Sequence, residues 1–259
     1  RPRRPEHDLV GAADRERIYR RGDRQRRLVG DRAAGRLRHP NVVDVTDFGF
    51  SDTKDGQVAY LVMEYLENGA PADDFWTDYG TSMAKLHQQS AEQFGLDYPN
   101  YIGKIRQQNN LCDSFSEFYS SQRILPLVTK AYKQKMLQEE DIRQAENLCA
   151  KLPGIIPKEK PALLHGDLWK GNYMCMANGH AAIFDPAIYY GHREMDIAMS
   201  KLFGGFDERF YQAYQEAYPL QPGYEERTEL FQLYPLLVHL LLFGGHYHHS
   251  VTAILEKYQ

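Results

Sequence analysis

Residues 162–186 read ALLHGDLWKGNYMCMANGHAAIFDP, and this stretch decides the fold. A short apolar run is followed by a polar loop, a strand, an Asn178-Gly179 turn and a second strand that ends at Asp185. Asn-Gly is the strongest two-residue signal for a β-hairpin turn, so the pattern predicts a hairpin. The hairpin would carry Asp185 back beside the loop that holds Asp167 and Asn172.

The three oxygen-bearing side chains of this stretch predict phosphoryl-transfer chemistry. Such chemistry needs a carboxylate that accepts or orients the attacking hydroxyl group, and hard oxygen ligands for the Mg²⁺ that bridges the nucleotide phosphates. Asn172 follows Asp167 by five residues. This is the Asp-to-Asn spacing of a kinase catalytic loop, and a strand that ends in Asp follows in kinases as well. The structural alternative is that Asp167 only binds loop amides and that Asn172 and Asp185 only form turns.

The composition favours a packed protein with a small-molecule ligand. Of the 259 residues, 42% are hydrophobic and 12% aromatic, and the formal net charge is −4. Such a chain can bury a core and has no global basic field for nucleic acid or an anionic membrane. The three cysteines are widely spaced and give neither a metal-ligand pattern nor a disulfide framework. We therefore expect no nucleic-acid or membrane partner and a reducing, cytoplasmic location; the oligomeric state stays open.

The first quarter of the chain differs from the rest in charge. Residues 1–40 contain 13 Arg and 6 acidic residues, a net charge of +7, which leaves −11 for residues 41–259. The Arg-rich run favours a surface helix or a tail, and a basic arm that binds nucleic acid is the weaker alternative. The runs HPNVVDVTDFGF and QVAYLVMEYL, separated by SDTKDG, predict a β-hairpin.

The rest of the chain is predicted to be mainly helical. Apolar residues recur at helical spacing from Phe75 to Leu86. Further helical patterns cover roughly residues 113–125, 139–152, 207–217 and 225–242, with four prolines as punctuation or kinks: Pro126, Pro153, Pro219 and Pro235.

The segments HGDLWKGN, IFDPAIYYGHREMDIAM, LFGGF and FGGHY together resemble the fructosamine/ketosamine kinases. That family is related to aminoglycoside phosphotransferases and choline kinases within the protein-kinase-like fold. The resemblance covers roughly residues 75–259. It implies a bilobal α+β fold, with a small β-rich amino-terminal lobe over residues 1–66 and a large helical catalytic lobe over residues 67–259. It also implies ATP- and Mg²⁺-dependent phosphorylation of the 3-hydroxyl of a ketosamine, a fructosamine or ribulosamine, free or protein-bound, which reverses glycation.

The resemblance also implies roles for the residues around the loop. Asp167 is the expected catalytic base, Asn172 and Asp185 are the expected Mg²⁺ ligands, and Asp196 is expected to brace the loop from the helix behind it. We expect His165 to form hydrogen bonds with the loop backbone rather than to transfer protons. For Asp196, capping of its own helix is an equal alternative.

A second group of residues is expected to contact the two substrates. Trp169 faces the sugar or packs in the core, and Lys170 neutralises the transferred phosphate or is solvated. If LVMEYL is the hinge between the lobes, Met63 is the gatekeeper, and the backbone at Glu64 and Leu66 contacts the adenine edge.

The small lobe is expected to be incomplete. No glycine-rich hairpin is found, and the only lysine before Lys85 is Lys54, which lies in a turn rather than on a strand. GRLRHPNVVDVTDFGF resembles bacterial serine/threonine protein kinases instead, which suggests a composite chain. Two alternatives therefore stay open beside the ketosamine kinase. One is a phosphotransferase for another alcohol, such as an aminoglycoside or choline, and the other is a pseudokinase that binds nucleotide or a partner.

Overall fold

The computed structural model describes residues 66–258 and the backbone of residues 45–53 and 56–63. The Arg-rich start, Lys54 and Glu64 lie outside the described residues. In the part that is described, no helix is long and apolar enough to cross a membrane.

The predicted amino-terminal hairpin is confirmed. Strand β1 (Val45–Thr53) pairs antiparallel with β2 (Gly56–Met63), and the register shifts between Val45 and Asp47.

Helices dominate the chain after residue 74, as the periodicity predicts. In chain order they are α1 (Phe75–His87), α2 (Phe115–Phe118), a π-helical turn (Tyr119–Ile124), α3 (Leu125–Lys133), α4 (Glu139–Ile155), α5 (Glu194–Leu202), α6 (Glu208–Ala217), α7 (Tyr224–Phe243), a 3₁₀ turn (Gly245–Tyr247) and α8 (His248–Lys257).

The prolines act less as helix stops than the sequence suggests. Pro126 stands in the first turn of α3, where proline is tolerated because the N–H that it lacks has no partner inside the helix. The helical backbone therefore runs from α2 through the π-helical turn into α3. Pro153 lies in the last turn of α4 and Pro235 lies inside α7, so these two helices extend past their prolines.

Short strand pairs hold the segment between α4 and α5 together. Strand β5 (Ala162–Leu164) pairs antiparallel with β8 (Tyr189–Gly191), and β6 (Tyr173–Cys175) pairs antiparallel with β7 (Ala181–Ile183). The β6–β7 pair confirms the predicted Asn178-Gly179 hairpin, with Gly179 at φ +84°. A further pair, β3 (Asn100–Ile102) with β4 (Ile105–Gln107), precedes α2.

Two buried clusters support this segment. The larger one joins α2–α4, α7 and α8 with β5 and β8. The smaller one is rich in aromatic rings and packs α1 and α6 against β7 and against Leu168, which lies in the loop before β6. Leu168 is fully buried in this cluster, so it anchors the loop to the core.

Candidate active site

The loop between β5 and β6 begins with a conformation that glycine alone adopts easily. Gly166 has φ +80°, and a Cβ atom there would stand 2.2 Å from the carbonyl oxygen of Ala187. The neighbouring His165 carbonyl accepts a hydrogen bond of 2.8 Å from the Ala187 amide. The loop before β6 and the segment after β7 are therefore in direct backbone contact.

Asp196, in the first turn of α5, holds the start of this loop. Its Oδ2 accepts hydrogen bonds from the His165 amide (2.7 Å) and from His87 Nε2 (3.1 Å), and its Oδ1 accepts one from the Gly166 amide (2.9 Å). The carboxylate is 1% exposed. His87 in turn bonds Tyr214 through Nδ1 (2.7 Å). His87 could not be singled out from the sequence, because its partner Asp196 is 109 positions away.

The ring of His165 bonds the backbone on both sides of the site. Its Nε2 donates to the carbonyl oxygen of Phe184 (3.0 Å), and its Nδ1 accepts from the Asp167 amide (3.2 Å). Burial lowers the pKa of His165, although the charges of Asp196 and Asp185 and the Phe184 hydrogen bond oppose the shift. The ring is therefore a neutral connector between the loop and the end of β7.

Asp167 and Asn172 are in direct contact. The Nδ2 of Asn172 donates to the backbone oxygen of Asp167 (2.9 Å) and to its Oδ2 (2.9 Å). Oδ1 of each of these two side chains has no hydrogen-bond partner among the described residues. Phe184 donates its amide to the Asn172 carbonyl (3.1 Å), so the end of β7 lies against the end of the loop.

Asp185 follows one residue later, with φ +56° and an exposed carboxylate. No hydrogen bond or ion pair engages this carboxylate within the described residues. Its negative charge is close enough to raise the pKa of Asp167. The structure thus brings Asp167, Asn172 and Asp185 together, which is the convergence that the hairpin predicts.

The pKa of Asp167 is raised to about 7. Burial is the largest cause; the hydrogen bond from Asn172 lowers the pKa, and the charges of Asp185 and Asp196 raise it. A carboxylate with a pKa near neutrality is suited to general-base chemistry, because it accepts a proton readily and a substantial fraction of it is ionised near neutral pH.

A run of aromatic rings extends from the loop to the end of α7. The Trp169 and Phe203 rings lie 5.8 Å apart, Phe203 and His239 4.7 Å, and His239 and Phe243 5.3 Å. Tyr247 closes the run at 5.1 Å from His239. These five residues form an aromatic wall that starts in the loop between β5 and β6. Phe203 belongs to the LFGGF segment quoted above, whereas no pattern in the sequence singles out His239.

The remaining predicted site residues are less fully defined. Lys170 is exposed, and its Nζ would be 3.4 Å from a Cβ atom placed on Gly204. Leu66 is partly buried. Met63 ends β2, its side chain is not described, and Glu64 lies outside the described residues.

Buried ion pairs fix the segment that carries Asp196. Arg193 forms a bidentate pair with Glu159 (3.0 and 2.8 Å), and Glu194 forms one with Arg227 (2.9 and 2.7 Å). His192 is fully buried beside these pairs. Its Nε2 lies 3.7 Å from Glu159 and has no hydrogen-bond partner within the described part of the chain. Paired charges of this kind hold the first turn of α5, and therefore the loop above it, in one position.

Comparisons of the whole chain with known proteins give consistent matches. A family model described as fructosamine kinase matches residues 33–259, a range that begins well before residue 75 and includes the β1–β2 hairpin. A protein named probable ketoamine kinase from Lactiplantibacillus plantarum is 41% identical over 201 residues, which cover 77% of this chain and 71% of that protein. The chloroplastic protein-ribulosamine 3-kinase of Oryza sativa subsp. japonica is 36% identical over 205 residues, covering 77% of this chain and 59% of the rice protein.

Solved structures give the same picture. A crystal structure of a protein assigned as a fructosamine-3-kinase from Thermobifida fusca is 33% identical, with a TM-score of 0.73, and covers 89% of this chain and 77% of that one. The aminoglycoside phosphotransferase APH(4)-Ia shares the fold alone, at 17% identity and a TM-score of 0.52, with coverage of 89% and 83%. These matches confirm the predicted α+β kinase-like fold.

Proposed function

Because the chain belongs to the fructosamine kinase family, we propose that it transfers the γ-phosphate of ATP to the 3-hydroxyl group of a ketosamine. Family membership confirms the predictions of a phosphotransferase and of a ketosamine kinase. The observation that carries the proposal for this site is the contact between the Asp167 carboxylate and Asn172, with Asp185 beside them.

In the proposed reaction, Asp167 is the general base. Its Oδ2 is held by Asn172, which leaves Oδ1 to accept the hydrogen bond of the acceptor hydroxyl. The hydroxyl proton moves to this carboxylate as the hydroxyl oxygen bonds to the γ-phosphorus. The bond between that phosphorus and the oxygen bridging it to the β-phosphate breaks, and ADP leaves with the electron pair. His165 and Asp196 position the base, since both bond the backbone of the loop that carries it.

The oxygen set fits Mg²⁺. Asn172 Oδ1 and the Asp185 carboxylate are hard oxygen donors without protein partners in the described part of the chain. No group of three or more His, Cys, Asp or Glu side chains is placed there to hold a metal ion. Mg²⁺ in kinases needs only one or two protein ligands, because phosphates and water complete its coordination. When bound, the ion neutralises charge on the phosphates.

The other predicted residues receive substrate-binding roles in the proposal. The aromatic wall, with Trp169 at its start, contacts the sugar of the ketosamine and the part of the ketosamine on its amine side by apolar and stacking contacts. Lys170 neutralises the transferred phosphoryl group. Met63, Glu64 and Leu66 contact the adenine.

We also propose that the lobe boundary lies at residues 66/67. The Glu67 carbonyl accepts a hydrogen bond from the Ala177 amide (2.7 Å), and the Gly69 amide donates to the Cys175 carbonyl (3.0 Å). These bonds tie the chain from residue 67 onward to the β6–β7 hairpin.

The acceptor in the proposal is a fructosamine or ribulosamine, either on a small amine or on a glycated protein, and the location is cytoplasmic. The free thiols of Cys112, Cys149 and Cys175 support a reducing compartment.

The test is phosphate transfer by this chain and by Asp167→Asn, with Mg-ATP and a model fructosamine, and with an aminoglycoside and choline as rival acceptors. We expect 3-O-phosphorylation of the fructosamine, and a loss of about 10²–10⁴-fold in the variant without loss of nucleotide binding. Asp97→Asn is the matched control, because the Asp97 side chain is exposed and forms no hydrogen bond or ion pair with another described residue.

The outcomes separate the alternatives. Transfer only to the aminoglycoside or to choline would identify a phosphotransferase for another alcohol. Nucleotide binding without any transfer would identify a pseudokinase.

A further inference from the structure

A cavity of about 540 Å³ lies between the β3–β4 hairpin and the start of α3. This volume is typical of small-molecule sites. Its walls include Tyr101, Gln107 and Tyr234, and its apolar floor includes Ile105 and Leu127. Nothing in the roles assigned above uses this cavity. We call it the hairpin pocket.

The hairpin pocket is lined by cations and by no acid. Lys104, Arg106 and Lys130 are its charged residues, and all three are exposed at the rim. The side chain of none of them forms an ion pair or a hydrogen bond with another described residue. Residues 41–259 carry a net charge of −11, so a purely basic pocket runs against the charge of the surrounding chain.

A fourth cation lies behind the pocket wall. Arg123 is fully buried and has no carboxylate partner among the residues that the structure describes. Its guanidinium donates to the carbonyl oxygen of Gln108 (2.6 Å) and to Asn109 Oδ1 (2.7 Å), and it lies 5.3 Å from the centre of the Tyr234 ring. Gln108 and Tyr234 both line the pocket. The buried charge is therefore not cancelled locally, and in a poorly polarisable interior its field reaches the pocket.

The hairpin pocket adjoins the catalytic segment. Tyr234 donates its hydroxyl hydrogen to Gln107 Oε1 (2.6 Å), and Gln107 Nε2 donates to the carbonyl oxygen of Ala187 (3.2 Å). Ala187 is two residues after Asp185 and also contacts Gly166. Tyr234 therefore lines the pocket and is two hydrogen bonds from the segment that follows Asp185. A ligand long enough to reach from Asp167 to the pocket would place its far end among the pocket cations.

We propose that the hairpin pocket binds an anionic group, carboxylate or phosphate, on the amine side of the ketosamine acceptor. This inference rests on the proposed function and narrows its substrate class to ketosamines of amino acids or of other anionic amines. Carboxylate and phosphate share the chemistry that Lys and Arg recognise.

The test compares three ketosamines of one sugar, made from glycine, glycinamide and phosphoethanolamine. Calorimetry measures their binding to the full chain, and phosphate transfer is measured in parallel. The variant is Lys104→Gln with Arg106→Gln and Lys130→Gln. The matched control makes the same charge change outside the pocket, at three exposed lysines: Lys133, Lys158 and Lys160.

We expect the glycine or phosphoethanolamine ketosamine to bind about tenfold more tightly than the glycinamide one. The preference should disappear in the pocket variant, persist in the control, and weaken at high salt. A stronger preference for the phosphoethanolamine arm would assign the pocket to phosphate, and a stronger preference for the glycine arm would assign it to carboxylate.

Equal binding of charged and neutral ketosamines, or a preference that survives in the pocket variant, overturns the inference. Turnover of the neutral ketosamine with no charge preference rejects the pocket and leaves the proposed function intact. A charge preference in binding without transfer to any ketosamine rejects the proposed function and leaves the anion site.

Discussion

Replacing Asp196 by Asn tests whether this buried carboxylate positions the catalytic loop. Asp196 accepts three hydrogen bonds, from two adjacent backbone amides and from His87, and it is 1% exposed. Asn has nearly the same volume, but it replaces one acceptor oxygen by an NH₂ donor. In either orientation of the amide, that donor faces an N–H group, so at least one buried donor loses its partner.

The magnitude follows from these contacts. A buried donor left without a partner costs about 1–3 kcal/mol, and the remaining bonds lose the strengthening that an ionised acceptor gives. We therefore expect the free energy of unfolding to fall by about 3 kcal/mol. The loop should shift enough to lower kcat by roughly 10²-fold, because misplacement of a catalytic group by about 1 Å has effects of that size.

A further readout separates positioning from simple destabilisation. The charge of Asp196 contributes to the raised pKa of Asp167, so its removal should lower that pKa. The acidic limb of the pH profile of kcat should then move to lower pH, which a merely structural role would not cause. Denaturant unfolding and steady-state kinetics measure the effects, with Asp97→Asn as the control. Unchanged stability and an unchanged pH profile in Asp196→Asn would refute the reasoning.

Two other positions give sharp expectations. Gly166→Ala should destabilise the protein by several kcal/mol and abolish transfer, because φ is +80° and the added Cβ would stand 2.2 Å from the Ala187 carbonyl oxygen; thermal unfolding that matches the wild type would contradict this. His192 is buried, and burial is the main cause that lowers its pKa to about 4. In the unfolded chain this histidine takes up its proton near pH 6.5. The free energy of unfolding should therefore fall by about 1.4 kcal/mol for each pH unit as the pH is lowered from about 6.5 to 4. The slope of unfolding free energy against pH should be smaller in His192→Phe, and equal slopes would show that His192 is not the group responsible.

Much of the local structure could be predicted because its signals span only a few residues. The β6–β7 hairpin follows from Asn178-Gly179, where Gly179 adopts φ +84°. The position of α1 follows from apolar residues that recur at helical spacing. The convergence of Asp167, Asn172 and Asp185 follows from the same hairpin, since a tight turn fixes which ends of two strands meet.

The proline positions predicted the ends of the helices less well than expected. Pro126 opens α3 and Pro153 falls in the last turn of α4, because a missing N–H is harmless in a first turn and the loss of one bond near a helix end is offset by packing. The buried face of α4, with Leu148 and Leu152 fully inside, supplies that packing.

By itself, the sequence determined the hairpin that follows the loop of Asp167 and the order of the helices, because turn preferences and helical periodicity act between near neighbours. Only the tertiary structure decided which distant groups meet. His87 reaches Asp196 across 109 positions, the aromatic wall joins Trp169 to the end of α7, and three cations gather around a pocket backed by buried Arg123. Such contacts depend on how helices pack around the core, and no short run of residues encodes that packing.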